Sequence, residues 1–136
     1  MKLLERNYLT KIIHVIGTPD IKVITGIRRS GKSCLLLQFM EYINQTDKDA
    51  NIIFVDFNSL SAEPYLEYHA LNNYIEGQYK SNKNNYVCID EVQMCSGFEK
   101  AINSLHSSMK YDIYITDSNA FLLSSDLATL FTGRTY

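Results

Sequence analysis

The chain has 136 residues and a formal net charge of −2 at pH 7, and 46% of its residues are hydrophobic and 21% charged. These values are typical of one folded soluble domain, and they exclude a broadly basic surface for sequence-independent binding of nucleic acid. No apolar run approaches the roughly 20 residues of a membrane helix. The first residues become charged at once, so we expect neither a membrane partner nor a secretory signal.

The cysteine pattern predicts the redox environment. The three cysteines, Cys34, Cys88 and Cys95, form no close C-x-x-C pair and lie in predicted strand and helix segments. An odd number of such thiols indicates reduced cysteines in a cytoplasmic protein.

The first half of the chain predicts alternating helices and strands. Residues 4–16 have helical apolar spacing and are followed by a Gly-Thr-Pro-Asp break. Residues 21–25 are β-branched and predict a strand, and a loop at 26–31 leads into an amphipathic helix from Lys32. Residues 51–57 form a second apolar strand. We divide the chain into an N-terminal helix and turn (1–20) and a core (21–136).

The second half continues the alternation. Pro64 is typical of a helix's first turn, and Ser96 with Glu99 has the spacing of a capping box for a later helix. Strands are predicted at 86–89 and 112–116, and a helix at 121–131 that ends near Gly133. Strands alternating with helices predict a three-layer α/β/α fold with a mainly parallel sheet.

Residues 26–33 read Gly-Ile-Arg-Arg-Ser-Gly-Lys-Ser and match the phosphate-loop pattern G-x-x-x-x-G-K-[ST] between a strand and a helix. Glycines let backbone N–H groups converge on phosphate oxygens, and the helix N-terminus adds its dipole. Lys32 is expected to reach the β- and γ-phosphates, and the Ser33 hydroxyl to bind Mg²⁺. The predicted nucleotide-binding set is Gly26, Arg29, Ser30, Gly31, Lys32, Ser33 and Cys34.

A second acidic motif ends the strand at 86–89. Asp90 is predicted to hold Mg²⁺, through water, opposite Ser33, and Glu91 to polarise the attacking water. This Walker B pattern is weak alone, because acidic residues often end strands. A phosphate loop earlier in the chain favours the functional interpretation.

The strand at 112–116 is followed by Asp117, Ser118 and Asn119. A polar side chain there could sense the γ-phosphate or hold the water, and we favour Asn119 over Ser118. In additional-strand ATPases this strand lies between the phosphate-loop strand and the acidic strand, so the three loops would meet at one carboxyl edge. The alternative is that Ser118 or Asn119 merely caps the next helix.

Other polar residues have less specific interpretations. Arg28 and Arg29 could contact phosphate or a neighbouring subunit, but solvated loop arginines are equally expected. Arg134 could act as an arginine finger, although a surface salt bridge is the more common role. The three histidines have no metal-ligand spacing with the cysteines.

The chain resembles the AAA-type P-loop ATPases of bacteria and archaea that usually carry a C-terminal nuclease-like domain. The matching stretches are 24–33, Ile-Asp-Glu-Val-Gln at 89–93, 97–100, 115–119, 122–125 and Thr-Gly-Arg at 132–134. The resemblance implies a P-loop NTPase fold that binds ATP and Mg²⁺ through Lys32, Ser33 and Asp90, with Glu91 as the hydrolytic residue.

Two departures from that family affect the expectations. Asp117 replaces a usual glycine and could repel the γ-phosphate. In the family, a fifth strand, a helical lid and the C-terminal domain follow the Gly-Arg turn, so the resemblance implies that this chain lacks them. The strand at 21–25 would then be an exposed edge, and we expect self-association through it.

Four functional hypotheses remain open from the sequence. The first is an ATPase core that couples hydrolysis to partner domains, and the second is a nucleotide-binding switch or interaction module with little turnover. The third is a kinase using the same loop, which the Asp90–Glu91 pair disfavours. The fourth is an inactive fragment.

Overall fold

The computed structural model describes residues 3–26, 31–119 and 128–132, with side chains for 8–26 and 31–119. The helices and strands are α1 (Leu3–His14), β1 (Ile21–Thr25), α2 (Lys32–Thr46), β2 (Asn51–Asp56), α3 (Tyr68–Gln78), β3 (Asn85–Asp90), α4 (Phe98–Ser107), β4 (Asp112–Asp117) and β5 (Ala128–Thr132). Two 3₁₀ segments, Leu60–Tyr65 and Val92–Met94, precede α3 and α4. Among the described residues, no helix has the length and apolar character needed to cross a membrane.

The five strands form one sheet in the order β2-β3-β4-β1-β5, and every pairing between them is parallel. β4 lies between the phosphate-loop strand and the acidic strand, with Ile24 opposite Thr116 and Ile89 opposite Ile115. Because parallel strands end at the same edge, the loops after β1, β3 and β4 meet there. The predicted α/β/α fold and strand arrangement are confirmed.

Helices cover both faces of the sheet and enclose two apolar cores. The α1 and α2 face packs Ile12, Leu36 and Phe39 against Ile24 and Tyr114. The α3 and α4 face buries a larger cluster that includes Leu71, Ile75, Ile102, Leu105, Val87, Ile89 and Ile113. The buried strands β3 and β4 contribute apolar residues to both faces, as expected for a parallel sheet between two helical layers.

The fifth strand corrects two predictions. Residues 128–131 lie in β5 rather than in a helix, and β5 pairs with β1 along its whole length, from Ile21 opposite Ala128 to Thr25 opposite Thr132. Residues 121–127 lie outside the described residues. A strand of Thr, Leu and Phe beside a sheet edge satisfies backbone groups that a helix would leave unpaired. β1 is therefore an interior strand, and the exposed edge on which we based self-association does not exist.

Two helix starts also differ from the predictions. Pro64 lies within the 3₁₀ segment Leu60–Tyr65, and α3 begins separately, with the Glu67 carboxylate accepting backbone N–H groups of its first turn. Ser96 makes no capping box, because the N-cap of α4 is Gly97 and the Ser96 backbone bonds to Leu66 and Tyr68 at the start of α3. Gly97 has φ 72°, and an added Cβ there would approach the Tyr68 ring to 2.5 Å.

A buried ion pair joins the amino ends of β1 and β4. Lys22 is fully buried, and its Nζ donates to Asp112 Oδ1 and to the Thr18 carbonyl, both at 2.7 Å. The second Asp112 oxygen accepts the Gly17 N–H at 2.9 Å and the Tyr114 hydroxyl at 2.7 Å. The lysine charge thus has a carboxylate whose other oxygen is also hydrogen-bonded, which is the condition for a tolerable buried pair.

Candidate functional site

The phosphate-loop glycines occupy backbone conformations that require glycine. Gly26 follows β1 at φ 150°, and Gly31 precedes α2 at φ 93° in the left-handed region. Residues 27–30 lie outside the described residues, and so do the predictions for Arg28, Arg29 and Ser30. Gly31 thus lies directly before the N-terminus of α2, where the first backbone N–H groups have no acceptor within the helix and favour an anion.

Lys32 and Glu91 form a buried ion pair at this edge. The Lys32 Nζ lies 2.6 Å from Glu91 Oε2, and the two side chains are 2% and 5% exposed. Lys32 begins α2, whereas Glu91 follows β3, so the contact ties the phosphate loop to the acidic motif. The structure thus brings together the two residues that the sequence assigned to phosphate binding and hydrolysis.

Asp90 lies at the centre of a set of oxygen and amide groups. Its Oδ1 accepts the hydroxyls of Ser33 at 3.0 Å and Thr116 at 2.5 Å, and its Oδ2 accepts the Asn58 amide at 3.2 Å. Carboxylate and hydroxyl oxygens are ligands suited to Mg²⁺, which usually keeps several bound waters. This donor set therefore fits an ion that the Ser33 hydroxyl would bind, with Asp90 accepting from one of its waters.

The Glu91 carboxylate accepts hydrogen bonds on both oxygens. Oε1 receives Gln93 Nε2 at 2.8 Å and the Ser118 hydroxyl at 2.5 Å, and that hydroxyl also lies 2.8 Å from Oε2. Burial raises the pKa of Glu91, but hydrogen bonds from Lys32, Ser118 and Gln93, with the Lys32 charge, bring the pKa below its ordinary value. The carboxylate is therefore ionised at neutral pH.

Thr116 fixes the two acidic residues relative to β4. Its hydroxyl accepts the Glu91 N–H at 2.7 Å and donates to Asp90. The backbone of Glu91 is left-handed, with φ 58° and ψ 55°, a conformation that is costly for a residue with a Cβ. Hydrogen bonds to both the backbone and the side chain of Glu91 offset this strain and keep the carboxylate aimed at Lys32.

At the tip of β4, Ser118 contacts Glu91, whereas Asn119 is exposed. The Asn119 N–H donates to Asp117 Oδ1 at 2.8 Å, so the buried Asp117 stabilises the turn after the strand. The sequence favours Asn119 over Ser118 as the sensing residue, whereas the contacts with Glu91 favour Ser118. The sensing role of Asn119 and the effect of Asp117 on phosphate stay predictions.

Three residues of the cluster were absent from the sequence-based set: Asn58, Gln93 and Thr116. Each had a weak signal, because Asn58 and Thr116 are polar residues at the carboxyl ends of predicted strands and Gln93 closes the Ile-Asp-Glu-Val-Gln stretch. The exposed Cys34, after Ser33 on α2, stays a prediction for nucleotide binding. Arg134 lies outside the described residues.

A cavity of about 640 Å³ opens at the opposite edge of the sheet, beside the starts of β3 and β4. Its lining includes Thr18, Asn85, His106 and Asp112, and it shares no residue with the Lys32–Glu91 cluster. The convergence of charged groups with the N-terminus of α2 at the carboxyl edge is a more specific signal for phosphate than open volume, so we place the candidate site there.

Comparisons with known proteins agree with this placement of the chain among ATPase folds. Residues 18–136 match a family model described as an AAA domain. An uncharacterized protein of Haemophilus influenzae is 41% identical over 132 residues, which cover 96% of this chain and 33% of that protein. An uncharacterized protein of Methanocaldococcus jannaschii is 30% identical over 133 residues, covering 98% and 28%. The chain thus spans about a third of the length of these relatives.

Solved structures share the fold at low sequence identity. Caenorhabditis elegans PCH-2 superposes with a TM-score of 0.56 at 15% identity, covering 95% of this chain and 39% of that one. A Drosophila ORC structure with DNA gives a TM-score of 0.63 at 12% identity, covering 97% and 90%. Another, with AT-rich DNA and Cdc6, gives 0.62 at 10%, covering 97% and 55%. These likenesses show the fold, and the family model shows that the chain is an ATPase-like nucleotide-binding module that belongs to the AAA domain family.

Proposed function

We propose that the chain binds ATP with Mg²⁺ at the carboxyl edge of its sheet and hydrolyses the γ-phosphate. The observation that carries the proposal is the buried contact between Lys32 and Glu91, beside the Ser33–Asp90 pair and the left-handed Gly31 before α2. Phosphate-binding, metal-binding and water-activating groups thus lie in one connected cluster. Phosphoryl transfer to water needs these three kinds of group at one site.

The cluster supports a division of roles. Lys32 binds the β- and γ-phosphate oxygens, and the backbone N–H groups at the start of α2 complete the cradle. Ser33 and Asp90 hold Mg²⁺, which when bound neutralises charge on the phosphates. Thr116 keeps the Asp90 carboxylate oriented through its 2.5 Å hydrogen bond.

Glu91 activates the attacking water once Lys32 has turned to phosphate. In the described structure Glu91 accepts a hydrogen bond from the Lys32 Nζ, and a bound phosphate competes for the same Nζ. The lowered pKa keeps Glu91 ionised and able to orient and polarise water at neutral pH. We assign the role of the polar residue at the tip of β4, which holds the water or senses the γ-phosphate, to Ser118, because its hydroxyl donates to the Glu91 carboxylate.

The direct test compares ATP hydrolysis by the wild-type chain and by Glu91→Gln, with Mg²⁺ present. Removal of the base is expected to lower the rate about a hundredfold, within the range that a positioned acid or base contributes. Glu63→Gln, a matched charge change at an exposed residue, should leave the rate unchanged. Equal rates for wild type and Glu91→Gln would refute hydrolysis by this site.

A nucleotide-binding switch is the second candidate. Lys32 and Glu91 form an ion pair in the described structure. ATP binding would break this pair and release Glu91, and that change could itself be the signal. Micromolar binding of ATP without turnover would favour this function. The Drosophila ORC structures contain DNA, but at 10% and 12% identity their likeness concerns the fold, and we propose no nucleic-acid partner here.

A further inference from the structure

Gln93 lies in the short 3₁₀ segment Val92–Met94 immediately after Glu91. The left-handed backbone of Glu91 reverses the chain there, and Val92 is fully buried in the core of the α3 and α4 face. Hydrogen bonds from Met94 N to the Glu91 carbonyl at 3.1 Å and from Cys95 N to the Val92 carbonyl at 3.0 Å hold the turn. The Gln93 side chain consequently turns back to Glu91, two residues earlier.

Both ends of the Gln93 amide are engaged. Its Nε2 donates to Glu91 Oε1 at 2.8 Å, and its Oε1 accepts the Ser118 N–H at 3.3 Å. An amide has a donor end and an acceptor end, so these two contacts together define its orientation. The amide links the water-activating carboxylate to the backbone at the tip of β4.

The two oxygens of Glu91 have different partners. Oε2 accepts the Lys32 ammonium and Oε1 accepts the Gln93 amide, while the Ser118 hydroxyl lies within hydrogen-bond distance of both oxygens. A phosphate that binds Lys32 competes for the charged partner of Oε2, because an anion interacts more strongly with the ammonium than with the neutral Gln93 amide. The hydrogen bond to Oε1 can therefore persist when the ion pair opens.

We propose that Gln93 is a positioning residue for hydrolysis, which holds Glu91 through Oε1 after Lys32 has transferred to the nucleotide. This inference rests on the proposed function. Without Gln93, the released carboxylate keeps the Ser118 hydroxyl but loses the amide that fixes Oε1, so the fraction of bound ATP that meets an aligned water falls. Misplacement of a catalytic group by about 1 Å can cost up to a hundredfold in rate. Because the misplacement concerns ATP that is already bound, we expect the loss of Gln93 to lower kcat.

The experiment measures steady-state ATP hydrolysis by Gln93→Met, which keeps the side-chain length and removes both hydrogen bonds. We expect kcat to fall about tenfold or more while KM for ATP stays within about twofold. Met94→Ala, at the exposed neighbouring position in the same turn, is the matched control and should retain wild-type kcat. Gln93→Asn, which is one methylene shorter, should fold and lose the contact, and serves if Gln93→Met does not melt cooperatively.

A double-mutant cycle with Glu91→Gln separates positioning from a general structural effect. If Gln93 acts through Glu91, Gln93→Met should change the residual rate of Glu91→Gln by less than about twofold. An unchanged kcat in both Gln93 variants, or an equal loss in the wild-type and Glu91→Gln backgrounds, would overturn the positioning role of Gln93 and leave the proposed function intact. A wild-type rate no higher than that of Glu91→Gln would overturn the proposed function and the role of Gln93 with it.

Discussion

The ion pair between Lys32 and Glu91 sets the terms on which phosphate binds. Taking two charges out of water costs several kcal/mol per ion, and here the 2.6 Å contact with the hydrogen bonds on Glu91 offsets that cost. A phosphate therefore exchanges one partner of Lys32 for another. The observed affinity for ATP is the difference between the two interactions.

Glu91→Gln should consequently bind ATP more tightly than the wild-type chain. A neutral amide holds Lys32 less strongly than a carboxylate, so less interaction is lost when phosphate arrives, and we expect about a tenfold lower Kd, or about 1.4 kcal/mol. Calorimetric titration with a non-hydrolysable ATP analogue and Mg²⁺ measures it. Glu63→Gln again provides the control at an exposed position, and an equal or weaker affinity for Glu91→Gln would contradict the exchange.

At the scale of elements, β5 determines how the phosphate-loop strand is supported. β1 pairs with β4 on one side and β5 on the other, and its last residue, Thr25, lies opposite both Asp117 and Thr132. The backbone that leads into Gly26 is therefore held from both sides. A strand fixed in this way gives the loop a rigid origin, which a site with tolerances below an ångström requires.

Removal of residues 128–136 should expose β1 and destabilise the fold. The loss of the β1–β5 hydrogen bonds, at about 0.5–1.5 kcal/mol each, predicts a decrease on the order of 3 kcal/mol in the free energy of unfolding. The new edge should also increase the apparent size in gel filtration. Removal of only residues 133–136 leaves the ladder intact and is the matched control; the same urea midpoint for both truncations would contradict the prediction.

The elements show which parts of the molecule were predictable. β1 and β3 were found because continuous β-branched or apolar runs and the adjoining motifs mark them, and Lys32, Ser33, Asp90 and Glu91 followed from spacing. β5 was missed because a run of five residues is too short to distinguish a strand from a helical turn, and its state depends on pairing with β1, about a hundred residues earlier. Gln93 was missed because its direction depends on the left-handed backbone of Glu91.

At the scale of the whole molecule, acidic side chains link stability to pH. Hydrogen bonds from Tyr111 and Lys110 outweigh burial and hold the pKa of Glu76 below its ordinary value of 4.5, and the pKa of Glu91 is lowered similarly. The folded state then releases protons that the unfolded chain retains near pH 4.5. This contribution to stability is present above that pH and is lost as the pH falls through the lowered folded values.

The contribution of Glu76 and Glu91 to the free energy of unfolding should therefore be nearly constant between pH 7 and about pH 5, and it should decrease as the pH falls below about 5. Urea unfolding at a series of pH values measures the slope. Glu76→Gln and Glu91→Gln should each reduce the slope below pH 5, because the amide has no proton to bind. A slope that is identical in the wild type and both variants would show that other carboxyl groups carry the acid sensitivity.

The buried pair of Lys22 and Asp112 has a consequence for the opposite end of the sheet. If β1 slipped by one residue along β4, about 3.3 Å, Lys22 would turn to the other face and leave Asp112 without its ammonium. The same slip would carry Ser33 away from Asp90 by a similar distance. A register error in the sheet thus leaves a buried charge unpaired at one end. This cost disfavours the same error that would misalign Ser33 and Asp90 at the other end.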